Sequence, residues 1–187
     1  MVTENLYSQA KNLVKSVNSK VKTKGSITLK IAFDLDGVVL QQEMYSLRAI
    51  DSCKNEQERA ELMRSYYARR SIQLNPVDFL ADDDELFFIT GRSVLVEEIT
   101  KKWAKKYFPM ATLITTRTIL PSSDSDLMTK NYVNDRNKEW GLIQAERKAK
   151  ALNDNNIDVF FEDAPDVVAH LRRLCKSTKI VQYGGRF

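Results

Sequence analysis

Apolar positions along the chain switch between two periods. Continuous runs such as Ile31-Ala32-Phe33, Leu86-Phe87-Phe88-Ile89 and Val159-Phe160-Phe161 alternate with longer stretches whose apolar residues recur every three or four positions. Unbroken apolar runs of this length suit parallel strands that are covered on both faces. They predict strands over about 27–34, 86–89, 111–116, 158–161 and 179–183. The three-and-four spacing predicts a helix over 93–108, with Val94, Leu95, Ile99, Trp103 and Tyr107 inward, closed by Pro109. A second helix is expected over 138–152, with Trp140, Ile143, Ala149 and Leu152 inward. A third runs over 165–176 from Pro165, a residue suited to a first helical turn. Strands alternating with helices imply an α/β fold with a parallel central sheet, whose working groups gather at the carboxyl ends of the strands.

Three segments stand outside that alternation. Residues 4–22 place Leu6, Ala10, Leu13, Val14, Val17 and Val21 at helical spacing with lysines between them, so 1–26 reads as a basic N-terminal helix leading into the core at 27–187. A solvated lysine face over one edge of the core is the plain meaning of such a helix; a nucleic-acid or membrane-surface contact is the alternative. From about 41 to 80 the chain is polar and helix-favouring, with Tyr45, Leu47, Ile50, Leu62, Met63, Tyr66 and Tyr67 as its apolar contacts. This reads as a small helical insertion. Its run Arg64-Ser65-Tyr66-Tyr67-Ala68-Arg69-Arg70 either stacks bases and holds phosphates or forms a charged helix face. Residues 117–137 carry little apolar pattern, and loops of that length inside a compact domain are usually functional or mobile.

The strand ends carry the candidate chemistry. Ile31-Ala32-Phe33 runs into Asp34-Leu35-Asp36-Gly37, and side chains two apart on a strand share a side, so two carboxylates converge. At ~4 Å and an effective dielectric of ~20 their repulsion is about 4 kcal/mol, which calls for a cation, a shared proton or a lysine. Mg²⁺, a hard cation that takes oxygen ligands and keeps water, meets that need. Gly37 allows a sharp turn directly after the pair. The next apolar run ends in Thr90-Gly91-Arg92, where a hydroxyl, a glycine amide and a helix start near Ser93 would make a phosphate cradle. A third run ends in Glu162-Asp163, and the helix before it offers Lys148 and Lys150. Carboxylate nucleophile, metal, phosphate donors and lysine together describe phosphoryl transfer through an aspartyl-phosphate.

Composition narrows the picture further. A chain of 187 residues, 43% hydrophobic, is long enough for one buried core with a small insertion. Twenty-nine basic against 25 acidic residues give a net charge of +4, which favours phosphate-bearing partners. Cys53 and Cys175 lie far apart in helical patterns, which argues against a disulfide framework or a thiolate metal cluster and for a reducing, cytoplasmic setting. With no apolar signal core at the N-terminus and no run of about 18 apolar residues, neither secretion nor membrane spanning is expected. His170, the single histidine, falls mid-helix, which argues against histidine catalysis and a His-rich zinc site. No Gly-rich Lys-Ser/Thr phosphate loop occurs, so no kinase half is expected.

Taken in order, Phe33-Asp34-Leu35-Asp36-Gly37-Val38, Thr90-Gly91-Arg92, Lys148 (or Lys150) and Phe161-Glu162-Asp163 resemble the four motifs of the haloacid dehalogenase superfamily of phosphohydrolases, across roughly residues 27 to 186. The resemblance implies a three-layer Rossmann-like fold with Asp34 as nucleophile, Asp36 as general acid and base, Thr90 as phosphate ligand and Lys148 as neutralising lysine. It implies Mg²⁺ on Asp34, the Asp36 backbone carbonyl and Asp163, with Glu162 a further candidate because many members carry two aspartates there. The 41–80 insertion falls where the family places a small cap. More loosely, the chain is similar to 5′(3′)-deoxyribonucleotidases and polynucleotide 3′-phosphatase domains. The expectation is therefore a Mg²⁺-dependent phosphatase acting on nucleotides or nucleic-acid ends, with Thr90, Gly91, Arg92, Arg69 and Arg70 toward the substrate and no obligate protein partner. The alternatives are a phosphatase of sugar or other metabolite phosphates, and a non-catalytic phosphate-binding regulator of the same fold.

Overall fold

In the computed structural model the apolar runs become the strands of one sheet: β1 (Lys30–Phe33), β2 (Glu85–Thr90), β3 (Thr112–Thr115), β4 (Val159–Glu162) and β5 (Lys179–Gln182). The structure describes residues 28–42, 55–92, 96–116 and 138–183, and also residues 7, 8, 11, 12, 15, 16, 50, 52 and 53. Strand order is β3-β2-β1-β4-β5, with every pairing parallel. β1 is thus central and its two neighbours, β2 and β4, flank whatever it presents at its end.

Alternation within the strands sends side chains into two separate apolar layers. Ile31, Phe33, Leu86, Phe88, Val159 and Phe161 face one layer. Ala32, Phe87, Ile89, Phe160 and Ile180 face the other. Helix α2 (Glu97–Tyr107) covers the first face through Trp103 and Ala104, with Phe108 just beyond its end. Helices α3 (Lys138–Asp154) and α4 (Pro165–Leu174) cover the second face through Ala145, Ala149, Leu152, Val167, Val168 and Leu171. The result is the expected three-layer α/β arrangement. The sheet needs both layers because its strands are apolar on both sides and would otherwise expose one face to water.

The insertion contains helix α1 (Glu56–Ala68), started by Asn55, whose side chain accepts the Gln57 and Glu58 amides at 2.9 and 3.2 Å. It leaves and rejoins the core side by side: the Gln41 amide donates to the Ser71 carbonyl and the Gln73 amide to that of Val39, each at 2.9 Å. A 3₁₀ turn at Pro76–Phe79 then enters the core. Tyr7, from the predicted N-terminal helix, stacks edge-on against Phe79 at 5.2 Å, and its hydroxyl donates to Asp78 at 2.8 Å. The other described positions of that segment are helical as well.

Several helical positions differ from the periodicity. Tyr107 and Leu62 are exposed, while Thr100 is buried and donates to the Val96 carbonyl at 2.9 Å. A threonine can occupy an inward position because the helix's own carbonyl takes its hydroxyl proton. Val94, Leu95, Tyr45, Leu47, Ser93 and the 117–137 stretch lie outside the described residues, as does the side chain of Trp140 in α3. No described helix is long and apolar enough to cross a membrane.

Candidate functional site

The carboxyl ends of β1, β2 and β4 converge, and the cations around them come from Lys148 on α3, Arg92 just beyond β2 and Arg70 two residues beyond α1. β1 ends at Phe33, but the Asp34 amide still donates to the Phe161 carbonyl at 2.9 Å, which locks Asp34 at the strand end. The chain then folds tightly: the Gly37 amide donates to the Leu40 carbonyl at 2.8 Å and the Leu40 amide to that of Leu35 at 2.7 Å. Gly37 adopts φ +88°, and a Cβ there would stand 2.0 Å from Asp163 Oδ2. Glycine is required twice over, by the backbone angle and by the approach of that carboxylate. The Gln73 side-chain amide donates to the Gly37 and Val38 carbonyls at 2.7 and 3.0 Å, pinning the turn from outside.

Two buried clusters result, one on each aspartate. Lys148 Nζ lies 2.9 Å from Asp34 Oδ1 and 2.6 Å from Glu162 Oε2, with all three side chains almost fully buried. Lys148 stays charged well above the usual lysine range: burial alone would lower its pKa, but the two carboxylates outweigh that. Lys150 instead points outward to Asp154 at 2.5 Å. Lys148, not Lys150, is the lysine that joins Asp34 and Glu162. Glu162 takes Lys148 on one oxygen and the Ala164 amide on the other, at 3.2 Å. It is thereby the anchor of Lys148, with both oxygens occupied.

Burial pushes Asp34 up to about 7, helped by Glu162 and Asp36 and opposed by Lys148. Burial, with Asp34 and Glu162 nearby, likewise pushes Asp163 up to about 8. Asp34, Glu162 and Asp163 each bring a carboxylate oxygen within 4.8 Å of the others. Crowded carboxylates that retain protons are a site that welcomes a divalent cation. Asp34, Glu162 and Asp163 are the carboxylates grouped closely enough for a divalent cation; Glu162 has both oxygens engaged, by Lys148 and the Ala164 amide, whereas Asp34 gives Lys148 only Oδ1.

Asp36 has a different environment. Arg92 grips it bidentately, Nε and Nη2 each donating at 2.7 Å, and Arg70 Nη1 lies 3.4 Å from Oδ1. Burial of Asp36 is opposed by Arg92 and Arg70, and the net effect holds its carboxyl below the usual range. Arg92 is fixed in turn: Nη1 donates to Thr100 Oγ1 at 3.1 Å, and the Tyr67 ring lies 4.4 Å from the guanidinium carbon. Arg70 donates to the Tyr66 hydroxyl and, at 3.4 Å, to the Leu40 carbonyl.

The expectations divide accordingly. Asp34, Asp36, Thr90, Gly91, Lys148, Glu162 and Asp163 come together. The two aspartates do not share one cation, because the strand ends before Asp36 and each finds its own partner. Arg92 reaches the site but is spent on Asp36 and Thr100 rather than held open for a ligand. The basic run divides too: Arg64 and Arg69 are exposed while Arg70 is buried against Asp36, so it is not one surface patch. Thr100, which holds Arg92, and Gln144, which stands against Gly91, were not anticipated, and Tyr67, expected in a base-stacking or surface run, lies against Arg92 instead. Only an Arg/Asp pairing across 56 positions and one inward polar residue per helix could have signalled them.

Thr90 is buried, and its hydroxyl oxygen accepts the Arg92 amide at 3.3 Å, which leaves the hydroxyl proton free to donate. Thr90 thus brings a neutral donor to the end of β2, beside the end of β1. No family model and no curated protein matches this chain. The solved structures to which this chain is similar include two. One is a predicted HAD-like family hydrolase from Porphyromonas gingivalis, with TM-score 0.43 and 14% identity over 85% of this chain and 92% of that one. The other belongs to the Pnkp1/Rnl/Hen1 RNA repair complex, with TM-score 0.42 and 15% identity over 87% of this chain. The match spans 45% of that second, longer chain. The chemistry below rests on this chain's own residues.

Proposed function

We propose that the protein is a Mg²⁺-dependent phosphohydrolase that cleaves phosphate monoesters through a phosphoryl group carried on Asp34. The observation that carries this reading is the placement of the buried Asp34 carboxylate beside Lys148, at 2.9 Å, at the end of the central strand. Asp34 attacks the ester phosphorus. Lys148, Thr90 and the Gly91 amide offset the charge on the phosphoryl oxygens, and Mg²⁺, held by Asp34, Asp163 and the Asp36 carbonyl, would supply further positive charge there. Asp36 handles protons, giving one to the leaving oxygen and later taking one from the water that hydrolyses the acyl phosphate. The arginine clamp keeps Asp36 ionised in the present arrangement, which suits the second of these steps. For the first step Asp36 must gain a proton against the pull of Arg92 and Arg70.

For the substrate we propose a phosphate on a nucleotide or nucleic-acid end. The +4 net charge and the exposed Arg64 and Arg69 on α1 support it. A small metabolite phosphate is the second reading, favoured by the withdrawal of Arg70, Tyr66 and Tyr67 into contacts around Asp36 and Arg92. Turnover of nucleotides, 3′- and 5′-phosphorylated oligonucleotides and sugar phosphates, each with Mg²⁺ and with chelator, tests both. Nucleotide or oligonucleotide hydrolysis that chelator abolishes is the expected result. Preference for sugar phosphates would leave only the phosphohydrolase, and equal turnover in chelator would remove the metal.

A further inference from the structure

Helix α3 presents Gly141, Gln144, Ala145, Lys148, Ala149 and Leu152 toward the interior. Gln144 precedes Lys148 by one turn and so lies on the same face, about 6 Å higher along the helix. Its side chain is seated on the Thr90-Gly91 corner. A Cβ on Gly91 would meet Gln144 Oε1 at 2.4 Å, Cδ at 3.2 Å and Nε2 at 3.5 Å. The amide therefore occupies the space that a side chain at position 91 would need.

Gln144 is only 8% exposed, yet it makes no hydrogen bond to any described residue. Its amide atoms are not sealed from solvent, so an incoming ligand can reach them. The positions around it on α3, Ala145, Ala149 and Leu152, are apolar, and a leucine or methionine at 144 would fill similar volume without a polar group. A largely buried amide with no protein partner is open to one that arrives later.

We propose that Gln144 is a further substrate-contacting residue: its Nε2 donates to a non-bridging oxygen of the bound phosphoryl group, alongside the Thr90 hydroxyl, the Gly91 amide and Lys148. This rests on the phosphohydrolase reading and extends it. The physical case is one of charge. Lys148 carries one positive charge and already serves two carboxylates, Asp34 and Glu162, so it has little left over for a dianionic ester. A neutral donor fixed beside the glycine corner adds stabilisation without adding a cation that would draw Asp34 away. The tight seat on Gly91 also fixes the amide's position before substrate enters, so little ordering is needed on binding.

The test uses the full-length chain with Mg²⁺ and p-nitrophenyl phosphate, with orthophosphate as competitive inhibitor. Gln144→Met keeps the shape and removes the donor; Gln144→Glu keeps the shape and adds a charge that repels phosphate. The expected result for Gln144→Met is a melting temperature close to that of the wild type, with kcat/KM lower and the orthophosphate inhibition constant higher. Each should change by about 10- to 100-fold, the loss expected for one hydrogen bond to a charged group. Gln144→Glu should lose more on both readouts. Wild-type kcat/KM and wild-type phosphate inhibition in Gln144→Met would overturn the contact while leaving the phosphohydrolase standing. A purely structural amide would show the reverse pattern, a lower melting temperature in Gln144→Met with unchanged phosphate inhibition, and that too would overturn it. If the wild-type protein neither hydrolyses any ester nor binds orthophosphate, the parent reading falls and this contact with it.

Discussion

Asp34 and Asp36 are two residues apart, the first buried and the second half-buried, and the fold treats them in opposite ways. Asp34 shares one lysine with Glu162, and burial lifts it to about 7. Asp36 is clamped by Arg92 and approached by Arg70, and is held below the ordinary range. One cluster is short of positive charge and the other has it in excess. The difference lies in where the cations come from: Lys148 stands on core helix α3, whereas Asp36 is held by Arg92, just beyond β2, and by Arg70 from the insertion, so the second cluster ties the insertion to the core. In the proposed mechanism the nucleophile, Asp34, is set by a core lysine, and the proton-transfer group, Asp36, by arginines from two elements.

The largest break in this comparison should come from Lys148. Lys148→Ala leaves Asp34 and Glu162 facing each other with no cation. Turnover should fall by about 10³-fold or more, and stability at neutral pH by about 3–5 kcal/mol, the usual cost of removing one partner of a buried pair. Lys150→Ala, on the solvent side, should change both hardly at all, as steady-state assays and urea titration of the two variants would show.

Arg92→Leu should unlock the other cluster. Without its bidentate partner Asp36 rises toward the range of a buried carboxyl, so the acidic limb of the pH–rate profile should move to higher pH, with turnover down by about 10²-fold. An unmoved limb would mean that Asp36 does not set it.

Stability against pH should separate the clusters in the metal-free protein. Asp34 and Asp163 keep protons in the folded state up to about 7 and about 8, whereas an ordinary aspartate near 3.8 releases them. Folded protein then binds more protons than unfolded, so their contribution is present below about 4 and is lost as pH rises to about 8. Asp36 has the opposite sign: its contribution is present above about 4 and is lost as pH falls through its lowered value. Calorimetric melts should show a melting temperature several degrees lower at pH 8 than at pH 5, and added Mg²⁺ should close that gap.

Much of this was legible in the chain. The five apolar runs gave five strands because parallel strands buried on both faces carry no polar alternation to obscure them. Asp34, Thr90, Lys148 and Asp163 were readable because each stands where an apolar run stops or on the helix packed beside one. What was hidden depended on long-range pairing. Arg92 and Arg70 read as surface or substrate groups, since nothing in local spacing says that an arginine will fold back onto Asp36. Gln144 and Thr100 each sit singly in a helix, where one inward polar residue resembles noise in the period.

The smallest expected effect concerns the insertion's outer face. Arg64→Ala with Arg69→Ala should leave hydrolysis of a small aryl phosphate within about 2-fold, but should raise KM for a phosphorylated oligonucleotide and flatten its salt dependence. Adding Arg70→Ala should reduce the small-ester rate as well, because that arginine faces Asp36. Equal salt slopes in the double variant and the wild type would remove nucleic-acid ends from the substrate proposal.

The division of labour between the two aspartates is tested most directly by trapping. Wild-type protein mixed with Mg²⁺ and a fast-leaving aryl phosphate, then quenched in acid and digested, should yield a peptide phosphorylated on Asp34. Asp36→Asn should accumulate more of that species, since the hydrolysis of the acyl phosphate then lacks its base, and Asp34→Asn should yield none and show no turnover. Phosphate found on another residue, or turnover surviving in Asp34→Asn, would contradict the account.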